Sequence, residues 1–462
     1  MDQRSKIAIL GLGVEGKATL EWLVKHGYHD ITVCDKNVDL KEEMPKGVAV
    51  RLGEHYMDGL ADFDVVFRSP GISALRPEIQ TAKNMDVEMT STTNFFMDQC
   101  PATVIGVSGT KGKGTTSTLI YEMLKKHGRK EGVDLFLGGN IGTSPLEFLD
   151  KLTKDHIVIL ELSSFQLQDL EKAPEYSVLL NTTIDHLDYH VDQDEYMQAK
   201  ERLLSRQLPE GVAVLNKDYE YAKYYQPLVQ GELKWISTKG PVADGAYVDG
   251  GEIYYIDGGK PVKVAAVSEV ALVGSHNLEN ILPAVCVAGE LGVSAAKMGE
   301  VVREFKNLPY RLQFVRELNG VNFYNDSYST NADTSIAAVD SFNVPTVLIA
   351  GGSDKAIDYR EWAKRILLKP SLHTVILIGQ TADKMERALL EAEEELGEAA
   401  VAMGGTTKIL RRNRMEDAVV DAYAESHDPS VVVLSPAAAS FDMYKNYKER
   451  GNDFIAHVRK LK

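Results

Sequence analysis

Short apolar runs alternate with helical periodicity along almost the whole chain. Lys6–Leu10 breaks into a glycine turn, and the residues after it, through Trp22 and Val24, repeat apolar positions at helical spacing. Ile31–Cys34 and Val65–Phe67 are runs of the same kind, closed by Asp35 and by Ser69–Pro70–Gly71–Ile72. Strand, helix and strand in that order predict parallel βαβ units. Pro101 interrupts, and the pattern restarts. Thr103–Val107 predicts a strand, and Leu119, Ile120, Met123 and Leu124 predict one face of the helix that follows. Ile157–Leu160 and Ser177–Leu180 read as short buried strands, whereas 212–272, richer in β-branched residues and Gly–Gly turns, reads as an antiparallel addition. A third series begins near Leu308–Pro309, with strands at Thr346–Ala350, Thr374–Ile378 and Val431–Leu434. The expectation is an α/β protein of three domains in series, 1–100, 101–307 and 308–462.

Composition narrows the class of function. At 462 residues the chain is too long for a single core. A net charge of −16 without a basic block argues against nucleic acid as a partner. Three cysteines, Cys34, Cys100 and Cys286, lie far apart and without CxxC spacing, which suggests neither a disulfide framework nor a zinc cluster. The apolar run near the start is too short for a signal segment, and no segment approaches the length of a membrane span. A cytoplasmic protein without membrane insertion is expected.

Two glycine turns carry the candidate chemistry. Gly11–Leu–Gly13–Val14–Glu–Gly16 follows a strand and opens a helix, with Asp35 at the end of the next strand. Such a turn suits a pyrophosphate, either of a dinucleotide or of a nucleotide-sugar. The second turn is Gly109–Thr110–Lys111–Gly112–Lys113–Gly114–Thr115–Thr116. Glycines let backbone N–H groups converge on phosphate oxygens, and Lys113 supplies a point charge. The usual pattern has glycine at Val107 and a hydroxyl directly after the lysine. Gly114 stands there, so Thr115 or Thr116 must offer the hydroxyl to Mg²⁺. An NAD-dependent dehydrogenase would use the first turn and leave the second without a purpose. A ligase that spends ATP on a nucleotide-linked acceptor uses both.

Further residues sit where open α/β sheets bind ligands, at strand ends and in the loops after them. Glu161 closes Ile157–Leu160 and suits Mg²⁺. In Asp185–His186–Leu–Asp188–Tyr–His190 the HxxxH spacing lacks the adjacent glutamate of a zinc protease. Lys200 reads as a surface helical lysine. Asn277 and Asn280 read as paired amides on one helical face, suited to an adenine edge, or as a helix cap. The third series offers Arg311, Asp326, Thr330, Lys355 and Ser440 in loops.

In order along the chain, GLGVEG, SPGI, GTKGKGTT, GGNIG, ELSSFQL, DHLDYH with Lys200, HNLEN, PYRL, NDSYSTN, GGSDK and SPAAASFDMYKNYKERGNDF resemble the motifs of the Mur ligases. That resemblance implies a Rossmann-like N-terminal domain, a central P-loop-type ATPase domain with a small β add-on, and a Rossmann-like C-terminal domain. It implies an ATP- and Mg²⁺-dependent amide ligase of peptidoglycan precursor synthesis. The substrates would be UDP-N-acetylmuramoyl-L-alanine and D-glutamate, and the enzyme a monomer; L-glutamate or another amino acid, as in folylpolyglutamate synthetase, is the alternative within ligases. By resemblance, Gly11, Gly13, Val14, Gly16, Asp35, Lys36, Gly71, Asn140 and Gln166 hold the UDP substrate. Gly109 to Thr115, Asn277, Asn280, Arg311 and Asp326 hold ATP. Thr115, Glu161, His186 and a carbamylated Lys200 hold the metal, with Lys113, His186 and Lys200 catalytic. Thr330, Lys355, Ser440 and Tyr447 surround the incoming glutamate. Tyr328 departs from the family pattern, which has a lysine there, as does Lys36–Asn37 on the uracil side.

Overall fold

The computed structural model describes residues 1–128, 133–140, 142–183, 189–355, 357–397 and 407–462. Its described strands form three sheets. The first is all-parallel, in the order β3 (Ala49–Leu52), β2 (Ile31–Asp35), β1 (Ile7–Leu10), β4 (Val65–Arg68), β5 (Glu88–Thr90). The strand order reverses between β1 and β4, the place where doubly wound sheets open a ligand crevice. Gly11 follows β1 and Ser69–Ile72 follows β4, so the first glycine turn lies at that reversal.

The second sheet has nine strands. Its parallel part runs β7 (Leu135–Gly139), β8 (Ile157–Glu161), β6 (Thr103–Ser108), β9 (Tyr176–Leu179), β10 (Val212–Asn216), β11 (Glu232–Ser237), β12 (Gly245–Asp249). Two antiparallel strands, β13 (Glu252–Asp257) and β14 (Lys260–Ala266), complete it. The antiparallel addition expected over 212–272 is therefore smaller, because β10 to β12 extend the parallel sheet. Every residue of β10, VAVLN, is buried, as befits a strand covered on both faces.

Chain contacts divide the protein into two compact units. Unit 1 is 1–270 with 278–303, and unit 2 is 271–277 with 304–462. In unit 1 the first two sheets share a hydrophobic cluster that runs from Ile7, Ile9 and Phe67 through Phe95 and Phe96 to Phe148, Val158 and Leu160. Unit 2 holds the third sheet, in the order β15 (Gln313–Leu318), β16 (Val321–Asn325), β20 (Ser430–Leu434), β17 (Thr346–Gly351), β18 (Leu372–Ile378), β19 (Lys408–Arg411), parallel except for the β15–β16 hairpin. Alternate residues of β17 face opposite clusters: Leu348 and Ala350 one, Val347 and Ile349 the other. Both faces are thus covered, and the free chemistry lies at the strand ends.

Candidate functional site

In unit 1 the first glycine turn is built by backbone approach. A Cβ on Gly16 would lie 2.1 Å from the carbonyl oxygen of Gly11, so only glycine lets the helix Val14–Lys25 start this close to β1. Asp35 braces the turn from the next strand, its Oδ2 accepting from the Leu12 N–H at 2.6 Å and its Oδ1 from that of Asn37 at 2.8 Å. Ser69 Oγ donates to the Gly11 carbonyl at 2.7 Å. Gly13, Val14, Lys36 and Gly71 are exposed around it. Glu15, in the first turn of the helix, was not singled out by sequence reasoning. One carboxylate oxygen accepts from Gln166 Nε2 at 2.5 Å; the other is buried and has no partner among the described residues. Burial pushes its pKa up, against the Gln166 bond and the nearby Arg68 charge. Gln166 reaches Glu15 from a four-residue helix, Ser164–Leu167, whose capping box joins Ser163 and Gln166.

The second turn lies at the C-terminal end of β6. Gly112 has φ +86°, and a Cβ there would lie 2.0 Å from Asn280 Oδ1, so the amide of Asn280 packs directly on the loop. Lys113 Nζ donates to the carbonyls of Gly109 and Thr110, each at 3.0 Å. Thr110 Oγ1 shares a 2.8 Å hydrogen bond with Tyr196 OH and accepts from the Thr183 N–H at 2.9 Å. Thr115 and Thr116 are buried in the first turn of the helix Lys113–His127, and Thr116 Oγ1 donates to the Asn280 carbonyl.

Lys200 is only 1 % exposed, which corrects its reading as a surface residue. The helix Gln193–Ser205 buries Tyr196, Ala199, Lys200, Leu203 and Leu204 as one stripe, and Lys200 lies in it. Its Nζ donates to the Gly109 carbonyl at 3.2 Å and to Ser108 Oγ at 3.4 Å, and lies 4.6 Å from the centre of the Tyr196 ring. The phosphate loop thus has a second lysine beneath it.

Neighbouring strand ends complete this region. Glu161, the last residue of β8 and 1 % exposed, accepts at Oε1 from Asn140 Nδ2 at 2.8 Å, and Asn140 N–H bonds the Glu161 carbonyl at 2.8 Å. Glu161 Oε2 is buried and has no hydrogen-bond partner among the described residues. A buried carboxylate oxygen left without a donor fits a hard cation, which demands anionic oxygen. Thr115 supplies a hydroxyl on the loop. His186, expected as both metal ligand and base, lies outside the described residues, as do Asp185 and Asp188.

Asn277 and Asn280 do not pair on one helical face. Asn277 ends a 3₁₀ turn, Ser275–Asn277, before the helix Leu278–Glu290 begins, and its Nδ2 donates to the Val273 carbonyl at 2.7 Å. It clusters with unit 2 and Asn280 with unit 1.

In unit 2 the adjacent strands β16, β20 and β17 bring three loops to one edge. Asp326 follows β16 and is buried, accepting from Ser435 Oγ at 2.8 Å, from the Leu312 N–H at 3.0 Å and from Ser329 Oγ. Burial pushes its pKa up to about 6 despite these bonds and the Arg311 charge. The Arg311 guanidinium lies 3.9 Å from the centre of the Tyr328 ring, and Tyr328 packs edge-on against Tyr447. The departure at 328 thus has a local role, since a lysine there would face another cation. Ser440 is buried, Thr330 and Lys355 are exposed, and Lys355 Nζ lies 5.9 Å from the Phe441 ring. Arg450, which sequence reasoning did not single out, is buried under these loops.

Among the described residues, no helix is long and apolar enough to cross a membrane. Residues 107–288 match the family model described as the Mur ligase middle domain, and residues 5–91 that of the MurD-like N-terminal domain of Mur ligases. Over 99 % of its length the chain is 38 % identical to UDP-N-acetylmuramoylalanine--D-glutamate ligase of Acetivibrio thermocellus, covering 97 % of that protein. The enzyme of the same name from Clostridium botulinum is 37 % identical over equal shares of both chains. The fold is similar to that of the MurF ligase of Thermotoga maritima, solved in complex with ADP, with a TM-score of 0.59 and 17 % identity over 99 % of this chain and 95 % of that one. With two glycine turns at strand ends, a lysine-lined phosphate loop and full-length identity of this order, the chain belongs to the Mur ligase family.

Proposed function

We propose that the chain is an ATP-dependent, ADP-forming ligase that adds D-glutamate to UDP-N-acetylmuramoyl-L-alanine in peptidoglycan precursor synthesis. The observation that carries this reading is identity of 37 to 38 % to ligases of that name over 99 % of the chain. Geometry supports the nucleotide half, because Lys113 and Lys200 meet on the Gly109 carbonyl beside the Asn140–Glu161 pair. The working division is 1–100 for the UDP substrate, 101–307 for ATP and 308–462 for the amino acid and nucleotide, with the cytoplasm as the site of action and a monomer as the active form.

A carboxylate is a poor electrophile, so ATP first phosphorylates the L-alanyl carboxylate to an acyl phosphate. Lys113 holds the charge of the transferring group, and the loop N–H groups orient it. The amine of glutamate then attacks the acyl carbon, and phosphate leaves from the tetrahedral intermediate. His186 is the proposed group to orient or deprotonate that amine. Mg²⁺, held by Glu161, Thr115, His186 and a carbamylated Lys200, would supply charge neutralisation at the phosphates. Glu161 Oε2 is the atom whose surroundings favour it, being buried without a donor among the described residues. Carbamylation of Lys200 would turn a buried ammonium into an anionic oxygen ligand.

The test is purified protein with ATP, Mg²⁺, UDP-N-acetylmuramoyl-L-alanine and each glutamate enantiomer, following ADP and phosphate. Release with the D enantiomer alone is expected. Release with the L enantiomer alone would move the enzyme to another amino-acid specificity, and no release with either would overturn the ligase reading.

A further inference from the structure

We propose that Arg450 is the positioning residue that prepares the strand-end loops of unit 2 for an anionic amino acid, an inference that rests on the ligase reading above. Arg450 is 1 % exposed and sits in the first turn of the helix Tyr447–Lys460. Among the described residues, no carboxylate oxygen lies within ion-pair distance of its guanidinium. Its bonds go to neutral oxygens: Nε to Ser327 Oγ at 3.0 Å, Nη2 to the Ser327 carbonyl at 3.0 Å, and Nη1 to the carbonyls of Ala439 at 3.1 Å and Gly351 at 3.4 Å. Buried cations are ordinarily paired with an anion, and one held only by neutral oxygens is costly.

Each acceptor lies in a different strand-end loop. Ser327 belongs to the loop after β16 that carries Thr330, Gly351 closes β17 just before the loop that carries Lys355, and Ala439 precedes Ser440. Ser327 Oγ in turn donates to the Tyr447 carbonyl at 2.8 Å. The four residues assigned to the incoming glutamate thus hang from loops that one guanidinium ties together. Asp442, whose charge partly offsets the burial of Arg450, has its own donors: it accepts from the Gln380 N–H at 2.9 Å and from Ser353 Oγ at 3.3 Å. Tyr444 donates to Asp453 at 2.7 Å. Burial pushes the Arg450 pKa down to about 10, which leaves the group a cation at any working pH. The planar fork fixes the spacing of the loops, and its buried charge gives the floor a positive field in a low-dielectric setting. A carboxylate arriving above that floor meets a guanidinium that no carboxylate of the described residues pairs directly, Asp442 acting on it only at longer range.

Steady-state kinetics on the full chain test this, with KM for glutamate, ATP and the UDP substrate measured separately at saturation of the other two. Arg450→Met is expected to raise KM for glutamate by roughly 10- to 100-fold while leaving the other two KM values within about twofold. Arg450→Lys, which keeps the charge and loses the fork, should recover part of that loss. An unchanged glutamate KM, or a parallel rise in all three, would overturn the proposal in favour of a purely structural tie. If Arg450→Met does not fold by thermal melting, Ser327→Ala decides, since it removes the hydroxyl that accepts from Nε and passes that tie on to the Tyr447 carbonyl. A rise of roughly threefold in glutamate KM alone supports the proposal; no change overturns it. A wild-type protein without glutamate-dependent ADP formation would instead remove the ligase reading itself.

Discussion

Unit 1 builds two phosphate-type turns at strand ends and furnishes them with opposite charge. The loop at Gly109–Thr116 carries Lys111 and Lys113 and has Lys200 beneath it. In the turn at Gly11–Gly16 the only charged residue is Glu15, and the brace from the next strand is another acid, Asp35. The difference fits the roles proposed for the two turns. A triphosphate that is to be split needs charge spread over its transferring group, which lysines provide. A diphosphate that is only held needs backbone N–H groups and a helix N-terminus, and gains nothing in rate from a cation.

The largest effect should come from the reacting turn. Lys113→Ala is expected to lower kcat by about 10³-fold with a modest change in KM for the UDP substrate. An equal loss in UDP-substrate binding, read by calorimetry, would break the division of labour. Lys200→Ala should cost about 10²-fold or more in kcat, and the wild type should lose activity in CO₂-depleted buffer. Full activity of the variant would remove Lys200 from the chemistry. In the holding turn, Gly16→Ala places a Cβ against the Gly11 carbonyl oxygen. It should raise KM for the UDP substrate and cost about 1–3 kcal/mol of stability, with kcat at saturation nearly unchanged. A fall in kcat with constant KM would show that the first turn takes part in the chemistry.

The smallest effect is expected at Glu15. A buried carboxyl group with a raised pKa stabilises the fold while protonated, and that contribution is lost as pH rises through the folded pKa. Glu15→Gln should therefore gain stability over the wild type as pH is raised from acid to neutral, read in parallel melts. KM for the UDP substrate should fall by roughly threefold once the like charge beside the diphosphate is gone. A variant that loses stability at neutral pH would show that Glu15 is held there as a needed anion.

How much of this was legible depended on sequence distance. Gly11, Gly16 and Gly112 announce themselves because their requirement is local, a tight turn between adjacent strand and helix. β10 was also legible in principle: VAVLN is a continuous apolar run, the mark of a strand buried on both faces, and the Gly–Gly turns after it drew attention to antiparallel pairing instead. Lys200 was hidden by its chemical type, although Tyr196, Lys200, Leu203 and Leu204 share one helical stripe. Its burial could have been read from that spacing. The contact of Asn280 with Gly112 and that of Gln166 with Glu15 join residues more than a hundred positions apart. No local pattern encodes them. Arg450 was hidden for the same reason, since its three acceptor loops follow three different strands.

The four-residue helix Ser164–Leu167 has a consequence for how the two substrates sense each other. It begins three residues after Glu161, and its Gln166 bonds Glu15 in the Gly11–Gly16 turn. A shift of β8 on nucleotide binding would reach Gln166, and a displacement of Glu15 by the proposed diphosphate would reach the same residue. Binding free energies linked through one element are reciprocal. ATP must therefore change the affinity for the UDP substrate by the same factor as the UDP substrate changes that for ATP, and Gln166→Ala should bring both factors toward one.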